Sequence, residues 1–494
     1  MSGPLHTVHV RVNDAATGRP TPVRIRFTNA AGEYFAPWGR LAEFATGVGE
    51  DVGGQLARNG KRWAYIDGTC EIRLPPDPLW VEIYKGPEYV PIKQETQVGT
   101  GKLALRFSIE RWVDPRADGW YSGDTRAHFL SPHAALLEGA AEDLAVVNLL
   151  AMEWPPGPGR PTASLPQLLA FSGQTAALEM PGHQVVVNTF NDGGVLGALG
   201  LLNCHRAVFP LTIGRHPPGV YDWTLADWCD QCHRKHGLTV WTQVELDRPG
   251  RPHGLIGEGL ADLVLGKIDA IEVNSLRWCR EQHHEWYRFL NAGLRVPLVG
   301  GSGKVSNAMR LGTPRTYARL AHGEPFTYRH WIEAVRAGRT VVTNGPWLDF
   351  SVNGLDPGAV IDLPHAGATV RVHAQAKSLA PLERLELVRD GIVVAAAEAG
   401  GTPSAAVMDG DIDVPASGWL AARCWGPDAA AHSSPIYLQV EGRPMTPEPM
   451  AKAMVLELLD RMLGWVQNQA SFDSPRRRQE LEQIFEAARQ RLTP

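Results

Sequence analysis

The sequence predicts an α/β protein: a barrel-like core between two β-sandwich domains, followed by a helical tail. Three observations predict it. Short alternating segments parted by Gly- and Pro-rich turns fill the N-terminal region and the stretch before the tail. Continuous apolar segments alternate with helical ones through the middle of the chain. The C-terminal residues carry an apolar stripe at helical spacing.

Residues 1–112 hold the first alternating segments. HTVHVRV and PVRIRFT are separated by the turn signal DAATGRPTP, and CEIRL and LWVEIY flank PPDP, the pattern of a small β-sandwich. Residues 113–342 follow. LAVVNLLA, QVVVNTF, LTVWTQV, AIEV and VPLVGG read as buried strands, while PHAALLEGAAED, TLADWCDQCHRKHG and HEWYRFLNAG read as helices, the last two ending in residues common at helix C-termini. Strand–helix alternation predicts a parallel barrel-like sheet, whose chemistry sits at the C-terminal ends of the strands. Residues 343–442 return to short strands, among them LDFSVNG, TVRVHAQA, LERLELVRDG and IYLQVEG, and predict a second β-sandwich. Residues 443–494 form the helical tail, two amphipathic helices broken at SFDSP, packed on their own chain or on another subunit.

At 494 residues the chain is long enough for several domains, and its 44% hydrophobic and 20% charged residues are those of a globular protein. A net charge of -5 offers no basic field for nucleic acid or for an anionic membrane. No stretch approaches the roughly 20 continuous apolar residues of a membrane span, and the N-terminus lacks the basic and apolar regions of a secretory signal, so a cytoplasmic location is expected. The six cysteines, Cys70, Cys204, Cys229, Cys232, Cys279 and Cys424, are scattered and read as reduced thiols rather than a disulfide framework. The 16 tryptophans suit aromatic packing or a stacking pocket.

Residues 119–130, GWYSGDTRAHFL, resemble the first metal motif of CehA/McbA-type metallohydrolases of the PHP (polymerase and histidinol phosphatase) superfamily, where a strand ends in Asp-x-His-x-His. Alternate side chains of an extended segment point the same way, so two such histidines can share a metal centre. The resemblance continues through ADWCDQCHRKHGLTVW, ADLVLGKIDAIEV, HEWYRFLNAGLRVPLVGGSGK, RTYARL and AVRAGRTVVTNGP, and runs from the N-terminal sandwich to about residue 442. It implies a PHP-like distorted α/β barrel holding divalent metals at its strand ends.

The ligand positions implied by that resemblance are mostly replaced. Asp124 and His128 stand where the family has them, but the first His position is Arg126, a permanent cation with no lone pair to give. The family's Gly-Thr-Glu-Asn strand end is similar to Asn188-Thr189-Phe190-Asn191, which puts Phe190 at the Glu position, and its Leu-Gly-His matches Leu196-Gly197-Ala198. A strand ending in Pro-His becomes Thr242-Gln243, and Gly-Thr-Asp-Lys becomes Gly301-Ser302-Gly303-Lys304. Arg126, Phe190, Ala198, Gln243 and Gly303 therefore occupy degenerate metal positions. Asp124, His128 and Glu258, the last within a Gly-Glu pair that the family shares, remain as residual catalytic candidates. A hydrolytic metal needs about three protein ligands and an open position, so no metal and no other cofactor is expected.

Each remaining feature has a plain reading. Arg126 could clamp a carboxylate or phosphate, or simply pair with Asp124 or Glu258; His128 could be a base or a hydrogen-bonded structural group. Cys229-Asp230-Gln231-Cys232-His233 has the spacing of a haem attachment site but lies within an expected helix. Neighbouring His283, His284 and Glu285 point apart on a helix and cannot converge on one ion. Gly193-Gly194 and Gly300-Gly301 read as turns, Arg476-Arg477-Arg478 as a solvated face, and His205 and His216 sit in loops.

Three functions follow. The first is a pseudoenzyme acting as a ligand-binding or partner subunit, as a homo-oligomer or beside an active family member. The second is a hydrolase of ester, carbamate or phosphoester bonds, its site rebuilt around zinc, manganese or iron by Asp124, His128 and Glu258 with Asp192 or His253. The third is a carbohydrate- or small-molecule-binding protein. Arg126, Trp241, Gln243 and Lys304 are the candidate ligand-binding residues.

Overall fold

A computed structural model describes residues 5–47, 53–99, 101, 103–153, 166–214, 219–244, 252–273, 285–401 and 403–493. It is a sheet-rich mixed structure built on one large curled sheet, with a C-terminal helical pair.

The N-terminal strands form two sheets around a shared core. His6–Asp14 lies between Thr69–Leu74 and Ala104–Ile109, and faces a sheet ordered Gln55–Arg58, Lys61–Ile66, Val23–Asn29, Leu79–Tyr84, Ile92–Thr96. Alternation decides which side chains enter: Val8, Val10 and Val12 are buried against Ile25, Phe27, Val81 and Ile83.

The central strands run in a mixed sheet, not the uniformly parallel one the strand–helix alternation predicts. Trp120–Ala127, Val146–Ala151 and His183–Asp192 are mutually parallel, as are Leu238–Thr242, Ala270–Val273 and Leu298–Gly300. Ala198–Leu202 lies antiparallel between the two sets, so both sets run the same way. The cause is a tight reversal at 193–197. Gly193 N donates to Gly197 O, and Gly194 and Gly197 take φ of 59° and 121°, conformations that cost glycine little. Arg315–Arg319 and Thr340–Thr343 add two more antiparallel strands. The sheet curls until Thr316 and Thr340 meet its opposite edge: Thr316 Oγ1 accepts from Gly300 N at 2.7 Å, and Thr340 Oγ1 donates to Leu298 O at 2.8 Å.

Among the described residues seven α-helices accompany the sheet: α1 (Pro132–Ala141), α2 (Leu225–Arg234), α3 (Gly259–Val264), α4 (Glu285–Asn291), α5 (Tyr328–Arg336), α6 (Pro449–Asn468) and α7 (Pro475–Leu492). The expected helices at α1, α2 and α4 are present; α3 and α5 are additional. Capping fixes several starts. Thr224 and Asp227 form a reciprocal capping box on α2, and the Ser131 and Ser474 hydroxyls accept from Ala134 N and Arg477 N. The tail packs on its own chain: Leu459, Met462, Val466, Leu481 and Phe485 are buried in one cluster with Trp228, Leu260 and Phe289.

The large sheet does not stop at residue 342. Thr340–Thr343 pairs with Ala430–Ser433, and the sheet continues through Gly418–Trp425, Arg384–Arg389 and Ile392–Glu398. A three-stranded sheet, Trp347–Val352, Ala368–Ser378 and Ser404–Val414, packs with this extension around Phe350, Val370, Leu385 and Leu420. The expected 343–442 sandwich is thus hydrogen-bonded into the core rather than hung on a linker. Among the described residues no helix is long and apolar enough to cross a membrane.

Candidate functional site

The Trp120–Ala127 strand carries Asp124 and Arg126 to the same end of the sheet as Phe190, Gln243, Glu272 and Gly303. Its pairing with Val146–Ala151 shifts register between Asp124 and Ala127, the kind of irregularity that re-aims side chains at a strand end. Asp124 is fully buried and saturated by backbone donors. Its Oδ1 accepts from Arg126 N at 3.0 Å and Ser302 N at 2.9 Å, and its Oδ2 from Gly312 N at 2.8 Å. Burial pushes its carboxyl above the ordinary value although these three donors oppose it. In this arrangement Asp124 holds the 302–312 segment to the strand end.

Arg126 pairs with neither Asp124 nor Glu258, the two partners the sequence suggests. Its Nε donates to Glu272 Oε1 at 2.6 Å, while Thr125 Oγ1 donates to Glu272 Oε2 at 2.7 Å. The two side chains are 7% and 1% exposed, so this ion pair is screened from water. The guanidinium carbon lies 5.7 Å from the Phe190 ring centroid. Two glycines make room. A methyl group at Gly303 would fall 3.0 Å from Arg126 Nη2, on a backbone with φ of +60°; one at Gly301 would fall 2.5 Å from Glu272 Oε2. Gly301 is thus packed against the ion pair, whereas a methyl group at Gly300 would fall 2.6 Å from Val342 Cγ1.

His128 follows the strand. Its Nδ1 donates to Leu150 O at 3.1 Å and its ring stands edge-on to Phe190, centroids 5.4 Å apart. Burial, then the nearby Arg126 charge, push it down to about 3, so it is neutral and a weak base at neutral pH. Phe190 and Ala198 belong to an apolar cluster with Val240, Ala270 and Val299.

The other candidates lie apart. Lys304 is fully buried; its Nζ donates to Met309 O at 2.7 Å and lies 3.3 Å from Glu138 Oε2 on α1. Trp241 is fully buried, stacked on Phe289 at 5.9 Å and against Gly259, where a methyl group would fall 2.5 Å from the indole. That position serves core packing rather than ligand stacking. Glu258 caps α2, accepting from Leu225 N at 2.8 Å and Ala226 N at 2.9 Å, and burial pushes it up to about 8. Gln243 has a left-handed φ of 59°, and its Oε1 is buried without a hydrogen-bond partner among the described residues.

No metal set assembles from these residues. Asp192 accepts from Gly194 N within its own turn, and His253 is exposed. Among the described residues, three ligating groups come within 4.8 Å of one another at Glu324, His330 and Glu333. These lie at α5, which packs by Trp331 against Gly123 and Tyr121, toward the start of the Asp124 strand. Arg126, Phe190, Ala198 and Gly303 offer a divalent ion no donor, so the strand-end residues do not fit the metals the family resemblance implies.

Cys229 and Cys232 are buried in α2 and His233 Nε2 meets Asp269 at 2.9 Å, an arrangement without room for haem attachment. The described cysteines are free thiols, with Cys204 and Cys232 sulfurs 3.3 Å apart. His205 is exposed; His216, Cys279, His283 and His284 lie outside the described residues. Glu272 escaped the sequence reading. Its signal was a charged residue inside the apolar strand AIEV, which burial tolerates only beside a partner.

No family model and no curated protein matches the chain. Among solved structures, PsfC from Pseudomonas syringae PB-5123 is similar with a TM-score of 0.30 and 15% identity, covering 43% of this chain and 88% of PsfC. The N-terminal four Ig domains of Dscam1 isoform 8.4 are similar with a TM-score of 0.13 and 8% identity, covering 89% of this chain and 99% of that one. Likenesses this weak assign no fold.

Proposed function

We propose that this chain is a catalytically degenerate relative of the PHP-type metallohydrolases, a pseudoenzyme that keeps a PHP-like barrel core and serves as a ligand-binding or partner subunit. One observation carries the reading. The Arg126–Glu272 ion pair, roofed by Gly303 and walled by Phe190, fills the strand-end space where the family resemblance puts metal. A guanidinium supplies no lone pair and repels a cation, and the one imidazole beside it is a weak base. The remaining carboxylates are committed elsewhere, Asp124 to backbone amides and Glu258 to the α2 N-terminus. As a partner subunit, the chain would assemble with itself or with an intact relative. The test is hydrolysis of ester, carbamate and phosphoester substrates with zinc, manganese or iron added. The reading predicts no metal-dependent turnover; turnover abolished by His128→Ala would establish the rebuilt hydrolase instead.

A further inference from the structure

The strand-end site is filled, but a cleft of about 1110 Å³ opens between the N-terminal sandwich, the 302–314 segment and the C-terminal sandwich. Its walls have a marked charge imbalance. Arg24, Arg58 and Arg310 line it, and the acid among the lining residues is Asp428. Behind the arginines, one carboxylate serves two of them. Glu142 Oε1 accepts from Arg24 Nε at 2.9 Å and from Tyr65 Oη at 2.9 Å. Glu142 Oε2 lies 3.9 Å from Arg310 Nε, beyond hydrogen-bond reach, and accepts no hydrogen bond. Arg310 Nε instead donates to the neutral Thr313 Oγ1 at 2.8 Å. Glu88 is held by Arg315 at 3.5 Å and by the Tyr317 hydroxyl, and Glu138 lies 3.3 Å from Lys304 Nζ. Arg310 is thus a partly exposed cation, its side chain 27% accessible, with a half-made ion pair, so its guanidinium is open to a further anion from the cleft.

The rest of the cleft suits an anion with a flat body. Arg24 is pinned with its guanidinium carbon 4.7 Å from the Tyr84 centroid and 5.1 Å from that of Trp63. Tyr84 and the half-buried Trp425 line the cleft from the N-terminal and C-terminal sandwiches. Arg58 stands exposed at a hairpin tip, where Asn59 and Gly60 take φ of 52° and 70° to make a two-residue turn, and it has no ion-pair partner among the described residues. Ser302 lines the same cleft while its N–H holds Asp124, so an occupant would press on the segment that covers the strand ends.

We propose that this cleft binds a small aromatic anion, a ring bearing a phosphate or a carboxylate. Arg310 and Arg58 grip the oxyanion in the bidentate manner of guanidinium groups, and the half-buried Trp425 indole takes the ring, since Arg24 already covers Tyr84 and Trp63. The assignment stands whether or not the strand-end site ever holds metal. Isothermal titration of the full-length chain at low salt tests it, with phenyl phosphate and benzoate as probes and phenol and inorganic phosphate as controls. At least one aromatic anion is expected to bind one per chain with Kd below about 1 mM, and both controls about tenfold more weakly. The tighter of the two aromatic probes identifies the oxyanion as phosphate or carboxylate. Arg310→Gln and Arg58→Ala should each weaken that probe about tenfold; Arg58 is an exposed tip residue, so its variant folds. Binding of neither aromatic anion below about 10 mM, or binding unchanged in both variants, would overturn the proposal.

Discussion

Two arginine-bearing regions of this molecule answer the same electrostatic problem differently. At the strand ends Arg126 has its own carboxylate, Glu272, which a threonine hydroxyl completes. In the cleft, Arg24 and Arg310 share Glu142, and Arg58 stands alone at the rim. Burial forces a charge to find a partner, so the matched pair marks a finished structural element, while the accessible Arg58 and Arg310 leave positive charge free to meet a ligand. The strand end around Arg126 and Glu272 is the closed region, and the cleft lined by Arg24, Arg58 and Arg310 is the open one.

The largest effect that would break this comparison comes from removing one half of the closed pair. Glu272→Ala leaves Arg126 buried and unpaired and is expected to cost about 3–5 kcal/mol of stability in denaturant titration. The double variant Arg126→Met, Glu272→Met should regain most of that loss. A single variant as stable as the parent would mean that the pair is not what holds this end together.

Next in size is the glycine roof. Gly303→Ala combines a left-handed backbone with a methyl group 3.0 Å from the guanidinium, and should cost about 2 kcal/mol in the same measurement. Moving the guanidinium aside first, by Arg126→Ala, should remove the steric part of that cost.

The pH dependence contrasts Glu258 with the ion pair. Burial pushes the Glu258 carboxyl up to about 8 and raises its neighbour Asp262 as well, while an unfolded glutamate titrates near ~4.3. The folded chain therefore keeps a proton that the unfolded chain releases. The stability this contributes is complete below the unfolded value and is lost as pH rises toward 8. Thermal melts from acid to mild base should fall along that window, and Glu258→Gln should flatten the slope while costing some stability at the α2 N-terminus. A slope unchanged in that variant would place the titration elsewhere.

The smallest expected effect lies at the cleft rim. Asp428 is exposed, so Asp428→Asn should tighten aromatic-anion binding only about threefold at low salt, with the gain disappearing as salt screens it.

The fold was legible wherever periodicity is local. The alternating valines of His6–Asp14, the buried LAVVNLLA and QVVVNTF strands and the tail helices stand where the sequence puts them, because side-chain direction follows directly from the repeat. Strand direction was not legible. Ala198–Leu202 is five apolar residues, and only the glycine geometry at 193–197 reverses it. The pairing of Val341 with Ser433 was not legible either, because it joins segments far apart in the chain. At the strand end, Asp124, Arg126, His128, Phe190 and Gly303 do come together. Trp241, Lys304 and Glu258 instead serve packing, a loop anchor and a helix cap, roles set by three-dimensional neighbours. Glu272 and the cleft arginines are separated from their partners by long stretches of chain, so neither the closed pair nor the open surplus leaves a local motif.

Metal content tests the central claim most directly. Protein purified without chelator, then soaked in zinc, manganese and iron and desalted, would be assayed by elemental mass spectrometry. The account predicts that every metal stays far below about one ion per chain, in the parent and equally after Glu272→Gln. Tight retention of about one ion per chain by the parent, persisting after His330→Ala breaks the Glu324–His330–Glu333 group, would contradict it, because the space assigned to the Arg126–Glu272 pair would then belong to a metal.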